Sequence, residues 1–179
     1  MNITVYCGAR DGADGKFAKE AAALGAWIGK NGHTLVYGGG QNGLMGVVAD
    51  ACLEQGGPVI GVIPDFLMEM EQMHLHTTEM IHVKTMSERR NIMIEKGDAF
   101  VALPGGVGTL EEISEIISHI HLGLIRGACL FYNQDHYYDP MKALLQNMAD
   151  WGFYPEEDLK NILFAENLAE IEAELCKNC

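Results

Sequence analysis

The sequence has little positive charge. It contains 12 Lys and Arg residues against 25 Asp and Glu residues, which gives a formal net charge of −13 at pH 7. A protein that holds a nucleic-acid polymer neutralises many phosphates with lysine and arginine, so we expect no such polymer as a partner. A mononucleotide needs only a few local donors, and the adjacent Arg89 and Arg90 provide a concentrated pair.

Long apolar runs and a cysteine framework are also missing. No run reaches the roughly 18 apolar residues that span a bilayer, and we expect no membrane partner. The 5 cysteines are odd in number, a pattern typical of reduced intracellular thiols. Cys176 and Cys179 have redox-motif spacing, but no strand–helix unit follows them, so a chain end is the simpler interpretation. A strand-like run begins at Ile3 without a basic leader, and we expect a cytoplasmic protein.

Three common functional motifs do not occur. The pattern G-x-G-x-x-G does not follow the first strand, and G-x-x-x-x-G-K-[ST] occurs nowhere, which argues against a dehydrogenase and a phosphate-loop NTPase. His74, His76 and His82 lie in an irregular stretch without the spacing of H-E-x-x-H, so we expect no metal. We expect no cofactor either, because Lys84 and Lys96 have no recognisable Schiff-base context.

Short apolar runs alternate with helical patterns, which predicts one α/β domain over residues 1–179 with a mostly parallel sheet. Several predicted strands lack in–out alternation, as expected when helices cover both faces of a sheet. The predicted strands are Ile3–Cys7, Thr34–Tyr37, Val59–Ile63, Ile81–Val83, Ala99–Leu103 and Ala128–Tyr132. The predicted helices are Asp14–Lys30, Gly43–Glu54, Met86–Lys96, Thr109–Leu122, Pro140–Trp151 and Leu168–Cys176.

One irregular stretch, Pro64–Glu79, is rich in methionine and histidine. The residues alone leave three interpretations open: a lid, part of a pocket wall, or a plain connecting loop. The acid-rich stretch 150–179 is interpreted as a solvated helix face.

Glycines cluster after three predicted strands. Gly8 follows the first strand, Gly38–Gly40 follow the second, and Gly105–Gly106 follow the fifth. In a doubly wound sheet, ligands bind beyond the carboxyl ends of the strands. A glycine turn that feeds a helix start offers free N–H groups to an anion.

The segment around Arg89 has the pattern of a helix start. Thr85 and Glu88 fit a capping box, which places Arg89 and Arg90 early in a helix. Consecutive helical residues diverge by about 100°, so the two arginines are predicted to have different roles. Arg89 shares a face with Met86 and Met93, which suggests a clamp on phosphate or carboxylate. A snorkelling surface arginine is the alternative.

Glu112 lies shortly after the third glycine turn. Its carboxylate could reach a sugar whose phosphate sits on that turn, where it would stabilise an oxocarbenium-like state or activate water. The alternative is a first-turn glutamate that only favours the helix dipole. Glu115 is a weaker second candidate on the same helix, whose predicted core stripe is Leu110, Ile113, Ile117, Ile120 and Leu124.

These segments resemble the LONELY GUY (LOG) family of cytokinin riboside 5′-monophosphate phosphoribohydrolases, also labelled lysine decarboxylase-like. The resemblance is carried by YGGGQNGLMG (37–46), MSERRNIM (86–93) and DAFVALPGGVGTLEE (98–112). The family signature P-G-G-x-G-T-x-x-E is met in full by Pro104–Glu112.

The resemblance implies a Rossmann-like three-layer fold, a homodimer, and cleavage of the N-glycosidic bond of AMP or N6-modified AMP to free base and ribose 5-phosphate. The family's catalytic arginine falls on Arg89 and its catalytic glutamate on Glu112. The substrate-binding residues that we expect are Gly8, Gly39, Gly40, Met86, Gly105, Gly106, Gly108, Thr109 and Glu115.

Three departures from the family pattern stand near these residues. Ala9 and Arg10 replace two serines, so two hydroxyls are lost and Arg10 could supply a phosphate contact instead. Ser87 stands where histidine is common, and Arg90 where lysine is usual. A non-catalytic nucleotide or cofactor carrier of the same fold is the alternative function, against which the intact pair of Arg89 and Glu112 argues.

Overall fold

The computed structural model describes residues 1–68 and 70–177. In that part of the chain, 7 strands form one sheet in the order β4-β3-β2-β1-β5-β6-β7. Every neighbouring pair is parallel. The strands are β1 (Asn2–Tyr6), β2 (Thr34–Tyr37), β3 (Val59–Pro64), β4 (Glu79–Val83), β5 (Ala99–Ala102), β6 (Cys129–Tyr132) and β7 (Ile162–Ala165).

Helices cover both faces of the sheet. They are α1 (Ala18–Lys30), α2 (Gly43–Glu54), α3 (Met86–Lys96), α4 (Val107–His121), α5 (Asp139–Asp150) and α6 (Leu168–Cys176). Buried side chains of α1, α2 and α6 form one apolar core, and those of α3, α4 and α5 form the other. The central strands β1, β2, β5 and β6 are buried along most of their length, which confirms the predicted three-layer α/β fold. Among the described residues, no helix is both long and apolar enough to cross a bilayer.

Helix boundaries agree with the predicted ones to within two residues, except at the start of α1. The helix was predicted from Asp14, but it begins at Ala18. Gly12 and Gly15 have positive φ angles and Asp14 has a φ of 59°, so this stretch forms a short 3-10 turn instead. Left-handed residues interrupt an α-helix because they break its repeating dihedral angles.

The strand β7 was missed. Its four residues pair in parallel with β6 at the edge of the sheet, within the acid-rich stretch that was interpreted as a helix face. The interpretation holds only for the later part, α6. The Cys176–Cys179 motif cannot be assessed because Cys179 lies outside the described residues, and Cys7, Cys52, Cys129 and Cys176 are free.

The strand order reverses between β1 and β5, and this reversal brings two of the glycine turns together. The amide of Gly8 donates to the carbonyl of Pro104 over 3.1 Å, and the amide of Leu44 donates to the carbonyl of Gly8 over 3.1 Å. These bonds join the turns after β1 and β5 to the start of α2. The carboxyl edge of the central strands therefore forms one continuous rim, as expected at a switch point of a doubly wound sheet.

Candidate active site

A cavity of about 530 Å³ opens at this rim. Its walls come from the turn after β1, the turn between β5 and α4, the N-terminal parts of α3 and α4, and the segment that follows β3. Its apolar side includes Leu44, Met45, Leu67, Met86 and Met93, and its charged lining residues are Arg10, Glu71, Arg89 and Glu112. Pockets of this size, apolar with a few convergent polar groups, are typical small-molecule sites.

The glycine turn Gly105–Gly106 lines the cavity at the start of α4. The helix α4 begins at Val107, and no side chain caps its first amides. These free N–H groups and the helix dipole favour a bound anion. A Cβ atom at Gly105 would lie 2.1 Å from Oγ1 of Thr109, so glycine is required for the turn to approach the helix.

Two tyrosines after β6 support this turn. The hydroxyl of Tyr138 donates to the carbonyl of Leu103 over 2.7 Å, and the hydroxyl of Tyr137 donates to the carbonyl of Gly105. Tyr137 also lines the cavity. The carbonyl of Gly105 therefore already accepts a hydrogen bond. The polar groups that the turn offers to a ligand at the start of α4 are its backbone amides.

Arg89 is buried beneath the cavity, with 4% of its surface exposed. Thr85 caps α3 by accepting from the amide of Glu88 over 3.1 Å. The carboxylate of Glu88 accepts from the amide of Lys84 over 2.8 Å, one residue earlier than in an ordinary capping box. The cap sets where α3 begins and thus the direction in which Arg89 projects.

The guanidinium of Arg89 is held by the backbone. Its Nε donates to the carbonyl of Val62 over 3.1 Å, and its Nη2 donates to the carbonyl of Gly38 over 2.7 Å. A Cβ atom at position 38 would lie 2.0 Å from Nη2, so only glycine leaves room for the guanidinium. The alternative of a snorkelling surface arginine is wrong.

Arg90 has a different role, as the helical divergence predicted. It bridges α3 to α4 through two ion pairs of 2.9 Å, with Glu111 and Glu115. Glu115 therefore points to the junction of the two helices, and it is not among the described residues that line the cavity.

Glu112 lines the same cavity as Arg89. Because α4 begins at Val107 and not at Thr109, Glu112 lies in the second turn of the helix. Favourable interaction with the helix dipole falls off within the first turn, so the dipole does not account for this carboxylate.

The pKa of Glu112 is raised from 4.5 to about 7. The main cause is burial, which disfavours the charged form. Arg89 opposes this rise, Glu71 and Glu111 add to it, and Arg90 lowers it slightly. The carboxyl group can therefore change its protonation state near neutral pH, which is where an acid–base group is most effective.

The other predicted residues divide between lining and support. Gly8, Met86, Gly105, Gly106, Gly108 and Thr109 line the cavity, whereas Gly39 and Gly40 are not among its described lining residues. Gly39 accepts from the amide of His74 over 2.9 Å, and Gly40 forms an isolated bridge with Met73. These two glycines dock the segment after β3.

Sequence reasoning missed Glu71, Gly38 and Tyr137. Glu71 lies in the irregular stretch 64–79, which forms part of the pocket wall, one of the three interpretations left open. Its Oε2 lies 3.3 Å from Nη2 of Arg89. Nothing in the spacing of this stretch marks Glu71, because it reaches Arg89 through a tertiary contact between distant parts of the chain.

The three histidines do not share one loop, contrary to the prediction: the rings of His74 and His76 lie 6.1 Å apart, whereas His82 lies on β4. His74 pairs with Asp50 at 2.9 Å, and His82 lies 3.6 Å from Asp65. Within the described residues, no three histidine, cysteine or carboxylate side chains form a cluster that could hold a metal.

The sheet order, the switch-point cavity and the glycine turn at a helix start place the chain among the Rossmann-like α/β proteins. Solved structures agree on the fold. The Moco carrier protein from Chlamydomonas reinhardtii has a TM-score of 0.71 and 21% identity over 98% of both chains. The molybdenum cofactor binding protein from Rippkaea orientalis has a TM-score of 0.68 and 20% identity over 99% of this chain and 94% of that chain.

Sequence comparison identifies the family. The family model described as "Possible lysine decarboxylase" matches residues 45–175. A cytokinin riboside 5′-monophosphate phosphoribohydrolase from Rhodococcoides fascians is 39% identical over 93% of this chain and 85% of that protein. The protein of that name from Mycobacterium marinum is 33% identical over 93% of this chain and 88% of that protein. The chain belongs to the cytokinin riboside 5′-monophosphate phosphoribohydrolase (LOG) family.

The raised pKa of Glu112 predicts an effect on stability. A carboxyl group whose pKa is higher in the folded than in the unfolded protein destabilises the fold as pH rises from about 4.5 to about 7. Glu112→Gln mimics the neutral form, so at pH 8 it should stabilise the protein by as much as about 3 kcal/mol, with little effect at pH 4.5.

Thermal or urea unfolding of both proteins at the two pH values measures this difference. The matched control is Glu95→Gln on the exposed side of α3, which should have no such pH-dependent effect. If the wild type and Glu112→Gln have equal free energies of unfolding at pH 8, burial does not raise the pKa of Glu112 and the prediction is wrong.

Proposed function

We propose that this protein hydrolyses the N-glycosidic bond of AMP or N6-modified AMP and releases the free base and ribose 5-phosphate. The observation that carries the proposal is the arrangement of one cavity: a glycine turn at a helix start, with Arg89 and Glu112 among its lining residues. The names of the relatives from Rhodococcoides fascians and Mycobacterium marinum support the same reaction.

The groups of the cavity suit the parts of a nucleoside 5′-monophosphate. The amides of the turn after Gly105 would bind the phosphate, together with the hydroxyl of Thr109. The apolar side chains of Leu44, Met45 and Met86 would contact the base. The ribose would then lie between Arg89 and Glu112.

In the reaction, the bond between C1′ of the ribose and the nitrogen of the base breaks. The electron pair leaves with the base, which takes up a proton, and water adds its hydroxyl to C1′. The ionised carboxylate of Glu112 would stabilise the positive charge that develops on the ribose or would remove a proton from the attacking water. Arg89 would orient the phosphate and the sugar.

This role of Glu112 requires its ionised form. Its pKa of about 7 means that kcat/KM should increase with pH through neutrality. Arg89 favours the ionised form because a positive charge nearby stabilises a carboxylate. The two residues therefore act as a pair.

Glu112→Ala and Arg89→Ala should each lower turnover by at least about two orders of magnitude, the scale of a lost acid–base or electrostatic group. The assay is release of adenine from AMP, followed by chromatography. The matched controls are Glu95→Ala and Arg126→Ala, which remove the same charges outside the cavity, and Glu112→Gln tests the carboxylate without a change of shape.

Release of adenine at nearly the wild-type rate by both alanine variants would defeat the assignment of the two residues. Tight binding of AMP by the wild type without release of base would favour the carrier function. A panel of 5′-monophosphates with and without N6 substituents identifies the preferred base.

We further propose that the protein is a cytoplasmic homodimer. Leu110 belongs to the predicted apolar stripe of α4 but is 45% exposed. Leu124, also assigned to that stripe, lies beyond the end of α4 at His121 and is 65% exposed. Val107, at the start of the same helix, is 87% exposed. Apolar residues that the helical pattern marks for burial but the monomer exposes are explained if a second copy of the chain covers them.

Sedimentation of the wild type should give about twice the chain mass of 19.6 kDa. Leu110→Glu should shift the population to monomer, because it would bury a charge in the contact between the copies. Leu75→Glu is the control, since Leu75 is 74% exposed but lies on the loop before β4. A monomeric wild type, or dimers that persist in Leu110→Glu, would contradict the proposed contact.

A further inference from the structure

The segment that carries Glu71 is firmly docked on the glycine turn after β2. The amide of Gln41 donates to the carbonyl of Gln72 over 2.7 Å, and the amide of His74 donates to the carbonyl of Gly39 over 2.9 Å. His74 is 1% exposed, and its Nε2 lies 2.9 Å from Asp50 on α2. These contacts fix the backbone just after Glu71, and on the other side the amide of Glu71 donates to the carbonyl of Leu67 over 2.8 Å.

This anchoring directs the side chain of Glu71 into the wall of the cavity. Its side chain is only 18% exposed, and its Oε2 lies 3.3 Å from Nη2 of Arg89. Glu71 itself lines the cavity. If the two groups of a buried ion pair separate, each is left as an uncompensated charge. The contact therefore restrains the positions of both Glu71 and Arg89.

The donors of Arg89 can be counted. A guanidinium has five N–H donors. Nε uses one on Val62, and Nη2 uses two, on Gly38 and Glu71. The two donors of Nη1 remain, and the described contact of Nη1 is a weak one, 4.0 Å from the sulfur of Met86, another lining residue.

The charges around this pair form a compact set. Arg89, Arg90, Glu71 and Glu111 act on Glu112, and the neutral Tyr6 and Cys7 of the β1 edge lie within reach of its field. Burial raises the pKa of Glu71, and Arg89 lowers it. Arg89 is thus shared between two carboxyl groups, Glu71 and Glu112.

We propose that Glu71 is a positioning residue for the reaction: it holds Nη2 of Arg89 against Gly38 and thereby turns Nη1 toward the bound nucleotide. This inference rests on the proposed function. It goes beyond it by adding a third charged group, contributed by the segment after β3, to the pair of Arg89 and Glu112. Because three of the five donors of Arg89 are used within the protein, a single nitrogen serves the substrate.

The test compares Glu71→Gln and Glu71→Asp with the wild type, using adenine release from AMP as a function of pH. Glu71→Gln should lower kcat by about 10- to 100-fold, because a small misplacement of a substrate-orienting group has effects of this size. KM should change much less. Glu71→Asp keeps the charge and should recover part of the loss.

The pH profile provides a readout that a purely structural role would not move. Loss of the negative charge of Glu71 favours ionisation of Glu112. The rise of kcat/KM with pH should therefore occur at lower pH in Glu71→Gln than in the wild type. Glu95→Gln, which removes the same charge from the exposed side of α3, should leave both kcat and the profile unchanged.

The outcomes separate the two proposals. A wild type that releases no base contradicts the proposed function itself. An active wild type with unchanged kcat and pH profile in Glu71→Gln overturns the role of Glu71. A third outcome also overturns the proposal. If both Glu71→Gln and Glu71→Asp lower the melting temperature and kcat together, and the pH dependence of kcat/KM stays that of the wild type, then the contact with Arg89 is only structural.

Discussion

The candidate site depends on the burial of one guanidinium against the ends of two strands. Arg89 lies on α3, yet it is bound by the carbonyls of Gly38 after β2 and Val62 within β3. A buried charge is tolerated only when it is paired and hydrogen-bonded. These two carbonyls and Glu71 meet that requirement, so the fold of the sheet and the position of the charge are coupled.

Several residues follow from this constraint. Gly38 must be glycine because any Cβ atom would collide with Nη2 of Arg89. Glu71 can pair with Arg89 only if the stretch after β3 packs against the glycine turn that follows β2. The contacts of this stretch at Gly40 and His74 hold it there. Glu112 lines the same cavity as Arg89 and is influenced by its positive charge. Its pKa reflects the balance between burial and that charge.

Much of the fold could be predicted from the sequence because local patterns determine it. The bounds of α2, α3 and α6 agree with the predicted ones, since each has a clear apolar pattern or a capping residue. The strand β7 was not predicted because it has only four residues. So short a segment at a sheet edge has too little hydrophobic periodicity to distinguish it from the acidic helix that follows. The glycine turn at 104–109 could be predicted because residues adjacent in sequence determine its geometry.

The supporting parts of the site could not be predicted in the same way. Glu71 and Tyr137 reach the site through contacts between segments that are far apart in the chain, and their neighbours in sequence carry no signal for those contacts. Glu115 was placed on the correct helix, but its partner Arg90 directs it to the junction with α3. Gly39 and Gly40 were assigned to the nucleotide, although their described contacts are with the segment around His74.

The shared fold of this chain and the Moco carrier proteins does not by itself decide between turnover and binding, because one fold supports many functions. The most direct test of the account is a crystal structure of Glu112→Gln with AMP. The account predicts the phosphate on the amides that follow Gly105, with the ribose between Arg89 and residue 112. A phosphate bound elsewhere, or a ribose out of reach of both side chains, would contradict it.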